Sequence, residues 1–373
     1  MKKRSSSRQN PKRATKAKGA QRSVTIGMDL GDRNSRYCLL SDEGEILREG
    51  QVATTKTGMI ETFSSLGRAR IAIEVGTHSP WVTRLLQSFG HEVIVANPRQ
   101  VKLITESSRK DDRLDAQTLA RLARIDPQLL RPIRHRSEKA QTALMVIRVR
   151  AALIAVRTSL VNTARGLAKA MGERLAKCDA DQMGVLKAES VPAKLRPLLE
   201  PLWKEVESLT EKIKDSDREI EQIAREDYPE TELLQQVGGV GPLIALSFVL
   251  TVDDKNRFQK SRDIGCYVGL RPRRSDSGQR QPQLRITKEG DPYLPTMLVQ
   301  GAHYILSRRG PDTDLKRWGL RLAERGGKRG KKKAIVAVAR KLGILLHRLW
   351  VTGEVYEPLR NQNLRELQKK VAA

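Results

Sequence analysis

Between residues 24 and 96 the apolar positions fall in short, nearly continuous runs separated by turn residues. Such runs suit strands buried between layers better than one-sided helices. Val24 to Gly31 reads as a strand that ends in a carboxylate, Asp29, and a glycine. Ser35 to Leu40 and Glu45 to Val52 read as two more strands, joined by the hairpin signal Asp42-Glu43-Gly44. A helix is predicted over Thr57 to Leu66 and a strand over Ala69 to Val75. His78 to Phe89 reads as an amphipathic helix with Ser79-Pro80 at its start. His91 to Ala96 is a further strand, and Pro98 opens another helix. The order is βββαβαβα.

The period then lengthens. After Ser137-Glu138 the residues Leu144, Ile147, Ala151, Ile154, Thr158 and Val161 recur at spacings of three and four. Val206, Leu209, Ile213, Ile220 and Ile223 repeat that phase, and breakers lie between the runs, from Gly172 to Pro197. Two heptad-like seams predict an antiparallel helical hairpin or an intermolecular coiled coil. Arg148, Arg150, Arg157 and Arg165 line the first helix and offer a track for a phosphate backbone, or simply a solvated face. Further on, Gly238 to Pro242 separates two apolar helical stretches and resembles a helix-hairpin-helix. Its glycines would let backbone amides approach phosphate; an ordinary tight turn is the plain alternative. Gly269 to Gly278 is a polar loop carrying Arg271, Arg273 and Arg274, with Ser275 and Ser277 among them. Leu298 to Leu306 and Asp314 to Arg325 return to helix. A basic loop, Gly326 to Lys333, then brings Lys328, Arg329, Lys331, Lys332 and Lys333 ahead of a strong helix from Ala334 to Trp350.

These patterns divide the chain into a disordered basic arm (1–22), an α/β domain (23–130) and a helical coiled-coil or dimerisation region (135–227). A mostly α C-terminal domain (228–358) and a short tail (359–373) follow.

Acids stand out against this frame. Asp29 ends the first strand, and Glu74 sits in an otherwise apolar fourth strand. An acid there is costly to bury unless it is paired or metal-bound. Asp112 and Asp115 are three apart in a stretch of good helix formers and share a helix face. Their repulsion is relieved by a hard divalent cation, or the pair merely complements a helix N-terminus with Arg109, Lys110 and Arg113 as partners. Asp32 and Asp111 are neighbours that spacing alone does not exclude. Four acids in this order on a βββαβαβα frame point to an RNase H-like nuclease fold. Such a cluster can hold two Mg²⁺ ions, which activate a nucleophile and stabilise the leaving oxygen of a phosphodiester. The Asp-Leu-Gly start also occurs in sugar-kinase and actin-like ATPases, but neither their second phosphate loop nor their adenosine motif is evident.

Charge narrows the partner. The 373 residues hold 70 Lys+Arg against 43 Asp+Glu, a formal charge of +27. That excess suits a polyanion, nucleic acid first and an anionic membrane surface second. No apolar run is long enough to span a bilayer, and the first residues lack the apolar core of a secretory signal. Cys38, Cys178 and Cys266 are scattered, as expected in a reducing, cytoplasmic setting without a zinc site. Aromatic residues make up only 4%, so a base-stacking platform is not advertised.

Seven segments occur in one order: Gly27 to Gly31, Ile73-Glu74, Lys110 to Ala116, Gly238 to Pro242, Tyr267 to Pro272, Ser277-Gly278 and Ile286 to Asp291. Together they resemble the DEDD transposases of the Piv/MooV-invertase type, recombinases with a RuvC-like N-terminal domain and a separate C-terminal transposase domain. The resemblance implies that the four acids are Asp29, Glu74, Asp112 and Asp115, and that the catalytic serine is Ser277 rather than Ser275. It implies Mg²⁺ as cofactor, with Mn²⁺ able to substitute, and a covalent phosphoserine link to a cleaved DNA strand. It also implies a noncoding bridge RNA that pairs with target and donor DNA, and homodimers assembling to tetramers with sites shared between protomers. One departure stands out: the family often has Leu-Arg where this chain has Leu294-Pro295, which removes a phosphate contact and challenges the helix start.

Three functions compete. The first is an RNA-guided DNA recombinase that uses the acids and Ser277. The second is a hydrolytic nuclease or junction resolvase that uses the acids alone. The third is a non-enzymatic basic nucleic-acid-binding protein. Protein-borne readout of base sequence is not evident, which suits recognition delegated to a guide strand.

Overall fold

The computed structural model describes residues 24–97, 111–175, 178–182, 191–282 and 284–361. The expected basic arm, the helix at Pro98, Arg109, Lys110 and most of the tail lie outside these residues. The chain divides into two compact units, one up to His135 and one from Arg136 on.

The first unit is a mixed α/β domain. Its strands are β1 (Val24–Asp29), β2 (Asn34–Leu40), β3 (Ile46–Ala53), β4 (Ala69–Glu74) and β5 (Glu92–Ala96). They form one sheet in the order β3-β2-β1-β4-β5. β1, β2 and β3 pair antiparallel, while β4 and β5 add in parallel beside β1. The tight turns on either side of β2 make the meander, and helical crossovers make the parallel half, as chain connectivity requires. α1 (Lys56–Phe63) follows β3, with Thr55 capping it, and α2 (Ser79–Ser88) joins β4 to β5. α3 (Asp112–Ile125) completes the unit.

Two layers of apolar side chains sandwich the sheet. Met59, Phe63, Val82 and Leu86 pack with Ile26, Met28, Ile71 and Ile73 in one cluster. Leu119, Leu122 and Ala123 of α3 pack with Ala72, Ile94 and Ala96 in another. Both faces of β1 and β4 are therefore covered, which explains their unbroken apolar runs.

The second unit is helical. α4 (Glu138–Ala170) and α5 (Arg196–Glu226) lie antiparallel. The start of α4 meets the end of α5 through Ala140, Leu144, Ile147, Ile220 and Ala224. Its end meets the start of α5 through Val161, Ala164, Leu199 and Trp203. The hairpin thus closes within one chain. Thr158, expected in the seam, is exposed and bonds back to the Ile154 carbonyl.

The four arginines expected to track a backbone are mostly engaged at home. Arg148 pairs with Asp291, Arg150 with Asp217, Arg157 with the Thr210 hydroxyl and Arg165 with the Cys178 carbonyl. A guanidinium so held is a strut of the fold rather than a free phosphate ligand.

The remaining helices are α6 (Glu230–Gln235), α7 (Pro242–Val252), α8 (Ile264–Tyr267), α9 (Tyr293–Leu306), α10 (Asp314–Arg325) and α11 (Gly330–Thr352). The boundary drawn at 227/228 is not a break in packing, because Leu246 and Leu250 of α7 share a core with α4 and α5. Phe248, Val249, Leu298, Leu342 and Leu346 build the other large core. Among the described residues, no helix is long and apolar enough to cross a membrane.

Candidate functional site

The first unit brings the four acids to one end of the sheet. Asp29 is the last residue of β1 and Glu74 the last of β4, and those strands are parallel neighbours. Asp112 and Asp115 lie in the first turn of α3, the helix that crosses β1. That crossing is unusually close. A Cβ on Gly27 would stand 2.1 Å from the Ala116 carbonyl oxygen and 2.3 Å from the Ala120 nitrogen. Only glycine lets α3 lie on the strand there, and so only glycine holds its first turn beside Asp29.

Asp111 has a different task. Its carboxylate accepts a hydrogen bond of 3.0 Å from the Arg113 amide, which caps α3. Asp32 faces His78, 3.4 Å away, from an exposed position. Neither spare acid is aimed at the cluster by these contacts.

Electrostatics mark the four as a set. Burial raises the Asp29 carboxyl to about 6, and the charges of Asp112, Asp115 and Glu74 push the same way. Glu74 is raised first by burial and then by Asp115. Each shift measures how poorly protein and solvent compensate the ionised group. Among the described residues, no group of three or more Asp, Glu, His or Cys side chains is gathered closely enough to hold a metal ion. The donor set still suits a hard cation. All the donors are carboxylate oxygens, and an open arrangement suits Mg²⁺, which keeps several waters and takes few protein ligands beside substrate phosphates.

Sequence reasoning missed Glu49. It stands on β3 and accepts hydrogen bonds from Arg113 and Gln117 of α3, which hold its carboxyl below the usual range. Glu49 therefore braces the helix that carries Asp112 and Asp115 from the sheet side. Its only signal in sequence was a charge at mid-strand.

Ser277 belongs to the second unit. Gly269 to Gly278, expected as a polar loop, forms the first leg of an antiparallel arm that returns to Lys288. The Lys288 amide bonds the Gly269 carbonyl at 3.0 Å, Thr287 bonds Arg271 at 2.9 Å, and Arg273 bonds Arg285 at 2.8 Å. Ser277 and Arg280 exchange backbone hydrogen bonds of 3.1 and 3.0 Å at the tip. Gly278, with φ +55°, makes the two-residue turn. Ser277 is exposed there, and among the described residues nothing hydrogen-bonds its hydroxyl. Arg271, Arg273 and Arg274 are exposed on the first leg.

Three other expectations change. Gly238 and Gly239 pack against Pro311 and against Tyr304 of α9, so this turn spends its glycines on internal contacts. Pro295 does not break α9: it is the third residue, where its absent N–H would have had no helical partner. The basic loop at 326–333 is a 3-10 turn, Gly327–Arg329, and α11 already begins at Gly330. Lys331, Lys332 and Lys333 are therefore exposed in a first helical turn, where the macrodipole adds to their positive field. Arg329 is exposed beside them, and the Lys328 side chain lies outside the described residues.

A sheet whose neighbouring strand ends and covering helix gather acids is thus followed by a helical unit with a basic arm. Comparison with known proteins gives the lineage. A family model for DEDD transposases of the IS110 type matches residues 26–171, and one described as the transposase IS116/IS110/IS902 family matches residues 231–316. The chain is 30% identical to a putative transposase, y4pF/y4sB, of Sinorhizobium fredii over 346 residues, covering 91% of this chain and 87% of the relative. It is 28% identical over 339 residues to the transposase for insertion sequence element IS1111A of Coxiella burnetii, covering 89% and 90%. A probable family 20 transposase of Pseudomonas aeruginosa is 28% identical over 304 residues, covering 79% and 88%. The chain belongs to the IS110/IS116 family of insertion-sequence transposases.

Proposed function

We propose that this protein is an RNA-guided DNA recombinase that cleaves and rejoins strands through a phosphoserine intermediate. The observation that carries the reading is the convergence of Asp29, Glu74, Asp112 and Asp115 at one sheet end, with Asp29 raised to about 6 by burial and by its acidic neighbours. The strand order and the pairing of β1 with β4 support an RNase H-like, RuvC-like frame for those acids.

The four carboxylates would hold Mg²⁺, as two ions, with Mn²⁺ able to substitute. Bound there, the metal supplies Lewis-acid stabilisation of charge at the phosphate. The chain's own residues do the rest. Glu49 and Gly27 hold α3 against the sheet, so that Asp112 and Asp115 stay beside Asp29. Arg271, Arg273 and Arg274 bring positive charge to the arm, and Arg329, Lys331, Lys332 and Lys333 extend the basic surface for nucleic acid. The Ser277 oxygen attacks the scissile phosphorus, and a serine–phosphate bond forms as the bond to the leaving sugar oxygen breaks. The serine proton passes to that leaving oxygen. Attack by a sugar hydroxyl of the second strand then reverses the exchange and releases serine.

The acids and Ser277 belong to separate compact units. Such a division is compatible with a site completed by an arm from another protomer, in a homodimer that assembles to a tetramer. Delegation of sequence recognition to a bridge RNA agrees with the basic surface and with the scarcity of base-reading elements. The test is twofold. Wild-type protein mixed with donor and target DNA, the copurified RNA and Mg²⁺ should give a protein–DNA adduct that Ser277→Ala abolishes. The copurified nucleic acid should be one discrete RNA encoded beside the gene.

The exposed Ser277 hydroxyl, without a hydrogen-bond partner among the described residues, favours one competitor. This is a hydrolytic nuclease using the acids alone. It would keep cutting after Ser277→Ala and would form no adduct.

A further inference from the structure

We infer that a cleft at the root of the Ser277 arm is a DNA phosphate site, built by two arginines of the arm and two from outside it. The cleft holds about 440 Å³ and is lined by Arg262, Arg271, Arg274 and Arg340, with Asp263 and Cys266 between them. Arg271 and Arg274 come from the first leg of the arm. Arg262 comes from the 3-10 turn Ser261–Asp263, just before α8, and Arg340 from the middle of α11.

The site is built rather than accidental. Gly265 of α8 is buried under the Arg340 side chain: a Cβ there would stand 3.0 Å from Arg340 Cγ and 3.1 Å from Nε. The missing side chain lets the Arg340 stem lie across α8 and reach the cleft. Seven residues on, along the same face of α11, His347 hydrogen-bonds the Ser261 hydroxyl at 2.9 Å and the Lys255 carbonyl at 3.0 Å. The segment that carries Arg262 is thereby tied to the helix that carries Arg340. Ile264 adds to this, buried in the same core as Leu342 and Leu346.

Four arginines and one aspartate line the cleft. Among the described residues none of the four forms an ion pair, and Arg271 reaches only the Cys266 sulfur, at 3.7 Å. Elsewhere this protein pairs its arginines closely, as with Arg148 and Asp291. Like charges left together in a walled space repel unless an anion joins them. Guanidinium forks match phosphate oxygens two at a time, which selects phosphate over a simple halide.

The position of the cleft identifies the phosphate. Arg274 and Ser277 stand three positions apart on the arm's first leg. Extended chain covers roughly 10 Å in three residues, which is about one to two steps along one DNA strand, because its phosphates rise about 3.4 Å each along the axis while also winding around it. A strand lying along the arm would place one phosphate at Ser277 and another, about one to two steps away, in the cleft. Clamped there, the backbone fixes which phosphate meets the serine. This inference rests on the proposed reading of Ser277 as the DNA-joining residue.

The test uses the full-length protein in an Arg262→Gln/Arg340→Gln double variant, which leaves the arm's own sequence intact. Binding to a defined DNA duplex is measured by fluorescence anisotropy across a salt series. The expected result is about tenfold weaker binding, with a log affinity against log salt slope shallower by about 0.9, the value for one neutralised phosphate. An Arg262→Lys/Arg340→Lys variant should recover the slope, which separates lost charge from a damaged fold. Unchanged affinity and slope for DNA overturn the inference. So does a loss seen only with a duplex RNA of matching length. A third overturning result is inorganic phosphate, at constant ionic strength, erasing the difference between wild type and variant, because the cleft would then be a small-anion pocket. Repeating the series in a Ser277→Ala background keeps the two readings apart. If no adduct ever forms but the slope still changes, the cleft stands and the serine chemistry falls. Where adducts do form, a methylphosphonate about one to two steps from the joined phosphate should mimic the double variant and leave it unaffected.

Discussion

The two regions that carry the proposed chemistry are built on opposite plans. The acids sit at the ends of adjacent buried strands and on a helix pressed against them, with Glu49 and Gly27 fixing that helix. Ser277 sits at the tip of a polar arm held mainly by backbone hydrogen bonds. One region is preorganised and strained by its own charge. The other is exposed, and among the described residues nothing hydrogen-bonds its serine hydroxyl. Rigid positioning suits groups that must stabilise a charge as it develops. An adaptable arm suits a nucleophile that must reach strands in two arrangements, before and after exchange.

Neutralising the rigid half should have the largest effect. Asp29→Asn and Asp112→Asn should each lower strand transfer by about 10³-fold, equivalent to about 4 kcal/mol of transition-state stabilisation. Filter or anisotropy binding should show nucleic acid still bound. A variant that recombines normally would remove the acids from the mechanism and leave a basic binding protein as the better reading.

Two glycines test the contrast directly. Gly27→Val inserts atoms where the first would already lie 2.1 Å from the Ala116 carbonyl. It should destabilise the first unit by about 1–3 kcal/mol in denaturant titrations, the usual cost of overpacking. Gly278→Ala has open space around it and meets only the strain of φ +55°. That strain is about 1–2 kcal/mol and confined to the turn, so global unfolding should hardly change while adduct formation falls. If both variants unfold alike, the arm is part of a core after all.

Glu49→Gln should act more mildly. It keeps a hydrogen-bond acceptor for Gln117 but loses the charge that faces Arg113. A several-fold drop in strand-transfer rate is expected, with little change in nucleic-acid affinity, because the residue holds α3 and touches no substrate. Glu49→Ala should be worse than Glu49→Gln. Equal behaviour would argue against a positioning role.

What was legible in the sequence follows the same division. Strands covered on both faces show themselves as apolar runs, so β1, β2, β4 and β5 were found to within a residue or two. Acids at the ends of such runs are conspicuous because water cannot easily pay for them there. Glu49 was illegible, since its role depends on which β3 position faces α3, a matter of register across three elements. The arm was illegible for another reason: its pairing is made by backbone atoms, and its Arg, Ser, Gly and Pro side chains carry no strand signature. The arginines of α4 misled in the opposite sense. Their spacing along a helix face is the same whether they meet phosphate or, as here, Asp291, Asp217, Thr210 and Cys178. Lys331 to Lys333 are adequate helix formers, so α11 starts four residues before the apolar stretch that announced it.

The smallest effect is also the one that separates the halves most cleanly. The Asp29 carboxyl lies near 6 in the folded protein against an ordinary 3.8. Between those values the folded chain holds more protons than the unfolded one, so stability must fall as pH rises through that window. The stabilising contribution is fully present below about 3.8 and is lost by the time pH passes about 6. Asp29→Asn should flatten this part of the profile, and the wild-type minus variant difference isolates it from every other carboxylate. A divalent cation competes with that proton, so millimolar MgCl₂ should raise the wild-type melting temperature by a few degrees more at about pH 8 than at about pH 5. Asp29→Asn should lose most of the pH 8 gain. Ser277→Ala should leave both the profile and the Mg²⁺ response as they are, since its arm carries none of the acids. A Mg²⁺ shift that is equal at the two pH values, or that survives Asp29→Asn intact, would place the cation away from the four acids.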